Sequence, residues 1–211
     1  MPLGSLEQHG PHLPLDTDTR IAVAVARGAA ASRLGVSVAP PVTFGSSGEH
    51  AAFPGTLSIG TAALCSVLVE LGHDATRDWE AILLVNGHGG NVDAVSAAVD
   101  RLRGEGRRCA AFHVAPVSGD AHAGLSETAL LLHLAPEVVR LDLAAAGERR
   151  PVSELMDRLR SEGVRSVSAN GVLGDPRGAT AAQGRRLLEE LITGCLASLD
   201  ALLAVPQPCH D

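Results

Sequence analysis

Apolar residues recur at helical spacing over residues 17–34, with Ile21, Ala22, Val25 and Ala29 on one face and Gly35 just beyond, which predicts an amphipathic helix. Residues 36–40 (Val-Ser-Val-Ala-Pro) read as a short strand. A second helical face, Leu64, Val67, Leu68 and Leu71, covers residues 61–72. The pattern then changes. Residues 81–85 (Ala-Ile-Leu-Leu-Val) are continuously apolar, the mark of a strand buried on both faces in a parallel sheet. A glycine-rich loop and a helix to about residue 103 follow, then a strand over 109–115 and a helix beginning at Ser126. Residues 142–165 read as a variable region, and a long helix is expected from residue 179 to about 203. Strands alternating with helices predict an α/β fold, a three-layer αβα sandwich with a mostly parallel sheet. The irregular run from 41 to 56 is long for a connection inside a compact domain, which points to function.

Composition narrows the class. With 211 residues, 45% of them hydrophobic, the chain can bury one sizeable core, so residues 1–211 are read as a single domain. A formal net charge of -7 argues against a nucleic-acid partner. There is no basic start followed by an apolar core, and no apolar run long enough to cross a bilayer, so no membrane partner is expected. Cys65, Cys109, Cys195 and Cys209 lie far apart without a C-x-x-C pair and read as reduced thiols of a cytoplasmic protein.

Three polar stretches carry candidate chemistry. In the first, Glu7, His9 and Asp18 stand around Gly10, Pro11 and Pro14, residues that break regular structure and leave a shaped loop. Carboxylate oxygen with imidazole nitrogen suits Zn, Fe or Mn, and an Asp18 shared between two ions is what a two-metal hydrolase needs. The plainer alternative is a polar loop that caps the next helix, a role Asp16 and Thr17 are expected to fill in any case. In the second stretch His88 follows the buried strand in Asn-Gly-His-Gly-Gly-Asn, residues 86–91. It reads as a ligand ahead of a bystander in a turn or of an anion nest, and the spacing is not that of a dinucleotide site. In the third, Glu127 reads as a metal ligand ahead of a helix-start acid, and His122 suits proton transfer. Two divalent ions bring four positive charges, of which Glu7, Asp18 and Glu127 remove three. His12 either lines the pocket or braces the loop, and His50 beside Glu49 faces either the site or solvent. His73, His113, His133 and His210 read as surface or packing residues, and Asp175 as a turn residue.

Glu-Gln-His-Gly-Pro-His (7–12) with Asp18, the loop 86–91, and His122 with Glu127-Thr128 together resemble, in the same order, the creatininase family of metal-dependent amidohydrolases. Residues 2–22, 47–50 (Ser-Gly-Glu-His) and 171–176 extend the likeness towards the peptide-cleaving branch of that family. The resemblance implies an αβα fold, a homo-oligomer, and two divalent metal ions per chain, Fe2+ or Zn2+ with Mn2+ as a further option. Carried over, Glu7 and His88 bind one ion, His9 the other, and Asp18 bridges them. His122 matches the proton-transfer histidine, and Glu127 is read as both catalytic and metal-ligating. Creatininase itself has a glutamate ligand where this chain has Gly90, which leaves the second ion one ligand short unless Glu127 supplies it. His12, Glu49, His50, Gly89 and Gly90 are the candidate substrate contacts, with the 41–56 loop helping to recognise a peptide. Only six residues precede Glu7, against a few tens in the family, so a first strand and helix are expected to be missing. The implied reaction is metal-dependent hydrolysis of an amide bond in a modified short precursor peptide, releasing a cross-linked C-terminal Val-Tyr unit. A small cyclic amide or formamide is the alternative substrate, and a non-catalytic anion-binding protein is the alternative of another class.

Overall fold

The computed structural model describes residues 1–115 and 120–204. Cys209, His210 and the part of the 116–124 loop from 116 to 119 lie outside them. Three parallel strands, β1 (Pro2–Leu3), β2 (Ile82–Asn86) and β3 (Cys109–His113), form a sheet in that order. Pro2 lies opposite Val85 and Leu3 opposite Asn86, while Ile82 pairs with Cys109 and Asn86 with His113. Among the described residues six α-helices accompany the sheet: α1 (Thr17–Ala31), α2 (Thr61–Asp78), α3 (Val92–Gly104), α4 (Leu125–Leu134), α5 (Val152–Glu162) and α6 (Ala181–Ala204).

The continuous apolar run of β2 has the expected cause, because both faces of the sheet are covered. Ile82 and Leu84 join Leu64 and Leu68 of α2 and Val95 and Leu102 of α3 in one core. Leu83 and Val85, pointing the other way along the pleat, pack with Val25 of α1, Leu131 of α4 and Leu191 of α6. Helix layer, sheet, helix layer is the predicted sandwich. A third, smaller cluster joins Leu155 and Leu159 of α5 to Leu173 and Phe53, closing over the long loop before α2.

Three local expectations are corrected. Residues 36–40 form no strand; only a single bridge joins Leu3 to Val42, with Gly4 N–H donating to Val42 O (2.9 Å) and Val42 N–H to Pro2 O (3.0 Å). Pro40 and Pro41 have no N–H to give a ladder, so pairing begins only after them. Helix α2 does not stop at Gly72. A Cβ there would meet Leu102 Cδ1 at 2.4 Å, so this glycine allows the close approach of α2 and α3 inside a continuing helix. Asp16 sits at the start of α1 without capping it, because its Oδ1 accepts the Arg20 Nε–H instead (2.8 Å). Among the described residues no helix is long and apolar enough to cross a membrane.

Candidate metal centre

Each polar stretch follows a strand, so the three meet at the carboxyl edge of the parallel sheet, where open α/β sheets bind ligands. The loop after β1 is closed by Glu7 N–H donating to Leu15 O (3.0 Å) and turns at Gly10, whose φ is +65°. It delivers Glu7 and His9, both fully buried, and leads into the first turn of α1, which carries Asp18. Ser5 Oγ–H donates to Asp18 Oδ2 at 2.7 Å. Beyond β2, the Asn86 side chain fixes the His88 loop. Its Nδ2–H donates to His88 O (2.7 Å), and its Oδ1 accepts from His88 N (3.3 Å) and Asn91 Nδ2 (3.1 Å). His122 is paired with the 171–174 segment, with Leu173 N–H donating to His122 O at 2.8 Å. Ala123 after it has a left-handed φ of +51° and donates its N–H to Glu127 Oε2 (2.6 Å). Asp120 accepts the Ser126 N–H at the start of α4, so Glu127 is not needed there.

The side chains converge. His9 Nε2 lies 3.0 Å from Asp18 Oδ1 and 3.9 Å from Glu127 Oε2. His88 Nδ1 lies 3.3 Å from Asp18 Oδ2, and its Nε2 lies 3.1 Å from Glu7 Oε2. Asp18 thus has one oxygen towards each histidine, the arrangement required of a shared ligand. His50 Nε2 and His122 Nδ1 approach Glu7 Oε1 at 3.3 and 3.7 Å. Three groups have ligand atoms within 4.8 Å of one another: Glu7, Asp18 and His88; His9, His122 and Glu127; and Glu7, His50 and His122.

Neither Glu7 oxygen has a hydrogen-bond partner, although the residue is fully buried. A carboxylate at that depth needs a cation or strong donors. Mixed imidazole and carboxylate donors suit Zn, Mn or Fe, so the residues present fit a pair of divalent cations. Charge is strongly redistributed in the cluster. Burial works against a charged His9, yet Asp18, Glu127 and Glu7 override it and raise its pKa to about 10. His88 is likewise raised well above the usual value against burial, by Glu7 and Asp18. His122 is pushed well down, by burial first and then by His9 and His50. Burial, reinforced by Asp18, lifts the Glu127 carboxyl to about 7 despite His9.

The remaining candidates separate. His50 faces the cluster and Glu49 reaches it, with Oε1 3.4 Å from His88 Nε2. His12 braces the loop, its Nε2 2.8 Å from Thr128 Oγ1, and burial next to His9 lowers its pKa to about 4. Gly89 is exposed, and a Cβ there would meet nothing, whereas at Gly90 it would collide with Glu49 and His88. His73 pairs with Glu105, His113 and His133 are exposed, and Asp175 accepts the Arg177 N–H as a turn residue.

Gln8 is the functional residue that sequence reasoning passed over. Its Oε1 accepts the Gly10 N–H (2.8 Å), which fixes the amide's orientation. The two Nε2 hydrogens then go to His50 Nδ1 (2.8 Å) and Gly171 O (3.1 Å). His122 Nε2–H donates to Gln8 O (2.8 Å), leaving the Nδ1 lone pair facing the site. The available signal was a buried amide between two ligand candidates.

Comparison with known proteins agrees with this architecture. The family model described as creatininase, creatinine amidohydrolase, matches residues 1–199. A relative from Mycolicibacterium smegmatis, named mycofactocin precursor peptide peptidase, is 55% identical over 201 residues, covering 92% of this chain and 81% of its own length. One of the same name from Mycobacterium tuberculosis is 48% identical over 218 residues, covering 99% and 86%. A solved structure described as Creatininase Mn shares the fold with a TM-score of 0.78 at 24% identity, covering 97% of this chain and 90% of that one. The family match runs through all three strands and every candidate ligand, and on that basis the chain belongs to the creatininase family of amidohydrolases.

Proposed function

We propose that this chain is a peptidase that cleaves an amide bond of a modified short precursor peptide at a pair of divalent cations, releasing its cross-linked C-terminal Val-Tyr unit. The observation that carries the metal reading is the Glu7 carboxylate, buried without a hydrogen bond among three imidazoles. The names of the relatives at 48–55% identity support the substrate. Glu7 and His88 would hold one ion, His9 and Glu127 the other, with Asp18 between them. Fe2+, Zn2+ and Mn2+ all suit this donor set. When bound, such ions polarise the scissile carbonyl and acidify water.

The chain's own residues do the rest. Gln8 holds His122 in the tautomer whose Nδ1 is free, and burial keeps that imidazole neutral, so Nδ1 can accept a proton and pass it to the departing amine. His9, Asp18 and His88 are themselves buried, so the proposed ion sites are shielded from bulk water. Leu57, Ile59, Val67 and Leu71, exposed on α2 and the segment before it, favour a homo-oligomer. Incubation with divalent metal and the cross-linked or unmodified precursor, read by mass spectrometry, tests the reading. The cross-linked peptide is expected to be cut; no cleavage of either removes the proposal.

A further inference from the structure

Glu49 enters the centre from outside the three motif stretches. It sits in the short turn Gly48–His50, held by His50 N–H donating to Ser47 O (3.0 Å) and Ser47 N–H to Ser58 Oγ (2.9 Å). From there Oε1 comes to 3.4 Å from His88 Nε2 and 4.0 Å from His50 Nε2, with the side chain 28% exposed. The space it uses belongs to Gly90. An ideal Cβ there would lie 2.4 Å from Glu49 Oε1, 2.5 Å from His88 Nε2 and 2.3 Å from Ser46 O. Position 90 therefore cannot carry a side chain while Glu49 is in place.

A second observation points to a cation at the same spot. Glu7, fully buried and without a hydrogen bond, faces the same nitrogen of His88 at 3.1 Å. With Asp18 on the other ring nitrogen, three carboxylates surround one imidazole. One imidazole ring offers each of them a single nitrogen at most, and Glu7 at full burial keeps no hydrogen bond, so a cation between Glu7 and Glu49 would relieve both.

We propose that Glu49 is a ligand of the ion held by Glu7 and His88, and that glycine at position 90 is what admits it. The inference rests on the two-metal reading above and replaces substrate binding as the role of Glu49. It also makes the 41–56 loop a part of the metal centre, so that metal loading and the ordering of the loop are linked.

Equilibrium dialysis of the full chain against Zn2+ or Mn2+, with metal content by mass spectrometry and affinity by chelator competition, tests it. The wild type is expected to hold about two ions. Glu49→Gln keeps one at unchanged affinity and binds the other roughly 100-fold more weakly, since a lost ligand costs at least as much as a lost outer partner. Glu49→Asp, which keeps the charge but is one methylene shorter, behaves the same way, which separates coordination from electrostatics. Circular dichroism of the metal-free variants checks that both are folded. Either variant holding both ions with wild-type affinity overturns the assignment of Glu49 and leaves the two-metal reading intact. A wild type that binds no ion overturns both.

Discussion

Gly87 lies where β2 passes the first turn of α1, and one added methyl group there tests whether His88 and Asp18 must be held in register. An ideal Cβ on Gly87 would lie 2.5 Å from Asp18 O and 3.3 Å from the Ala22 Cβ. Ordinary contact begins near 3.4 Å, so the strand end and the helix must part by roughly 1 Å. Neither neighbour is a flexible side-chain end: one is backbone and the other a buried alanine in the core of α1. Overpacking of this kind costs about 1–3 kcal/mol. At roughly 2–4 °C per kcal/mol for a chain of this size, Gly87→Ala should melt roughly 2–12 °C below the wild type.

The same displacement falls on the His88 Nδ1 to Asp18 Oδ2 approach, now 3.3 Å, so it opens the proposed bridge between the two ions. A 1 Å misplacement is enough to cost about 100-fold in turnover. The assays are thermal melting with and without divalent metal, and kcat/KM on the precursor peptide. Metal should raise the variant's melting temperature less than it raises that of the wild type. A Gly87→Ala protein with unchanged melting and unchanged metal response would refute the claim that this contact sets the register of the centre.

Other outcomes follow from the same geometry. Asp18→Asn removes the shared carboxylate, so the melting increment given by metal, about 2.7 kcal/mol per site at a hundredfold excess over Kd, should largely vanish in differential scanning calorimetry. Leu131→Ala opens a cavity in the core between α4 and α6; it should cost about 2–5 kcal/mol in denaturant titration while leaving metal content unchanged. Glu148 is bonded to Arg150, whose side chain and backbone hold its carboxyl down to about 2 from the usual 4.5. Because the folded value is depressed, its stabilisation is present above pH 4.5 and is lost as pH falls towards 2. Glu148→Gln should therefore show a smaller loss of melting temperature than the wild type across that window.

The parts of this protein that were legible in its sequence are those whose cause is local. The run 81–85 is uniformly apolar because helices cover both faces of the sheet, and that alone identified a buried parallel strand. Helix α5 has apolar residues at 152, 155, 156 and 159, a helical spacing, yet its partners Phe53 and Leu173 come from distant segments. Read without those partners, the stretch 142–165 looks only like a variable region. Gly72 was read as a stop because a glycine in a helical pattern is ambiguous until the neighbour it lets in, Leu102, is known. The site divides in the same way. Glu7, His9, Asp18 and His88 carry chemistry in their own side chains, so composition and spacing expose them. Gln8 and Ser5 act only through partners, and those of Gln8 stand as far along the chain as Gly171.

Topology explains why such dispersed residues can converge at all. In a parallel sheet every strand delivers its following loop to the same edge, so groups after β1, β2 and β3 meet without long-range guidance. Asp18 must return, and the turn at Gly10 together with the Glu7 to Leu15 hydrogen bond folds the chain back towards Glu7. The cost of this convergence is concentrated at Glu7, fully buried among the ring nitrogens of His88, His50 and His122. Folding energy from the two flanking cores holds that carboxylate in place, while a cation is what would relieve it. The sandwich and the proposed metal centre would thus be coupled in one direction: the cores form from apolar contacts alone, and cations would complete the arrangement at the sheet edge.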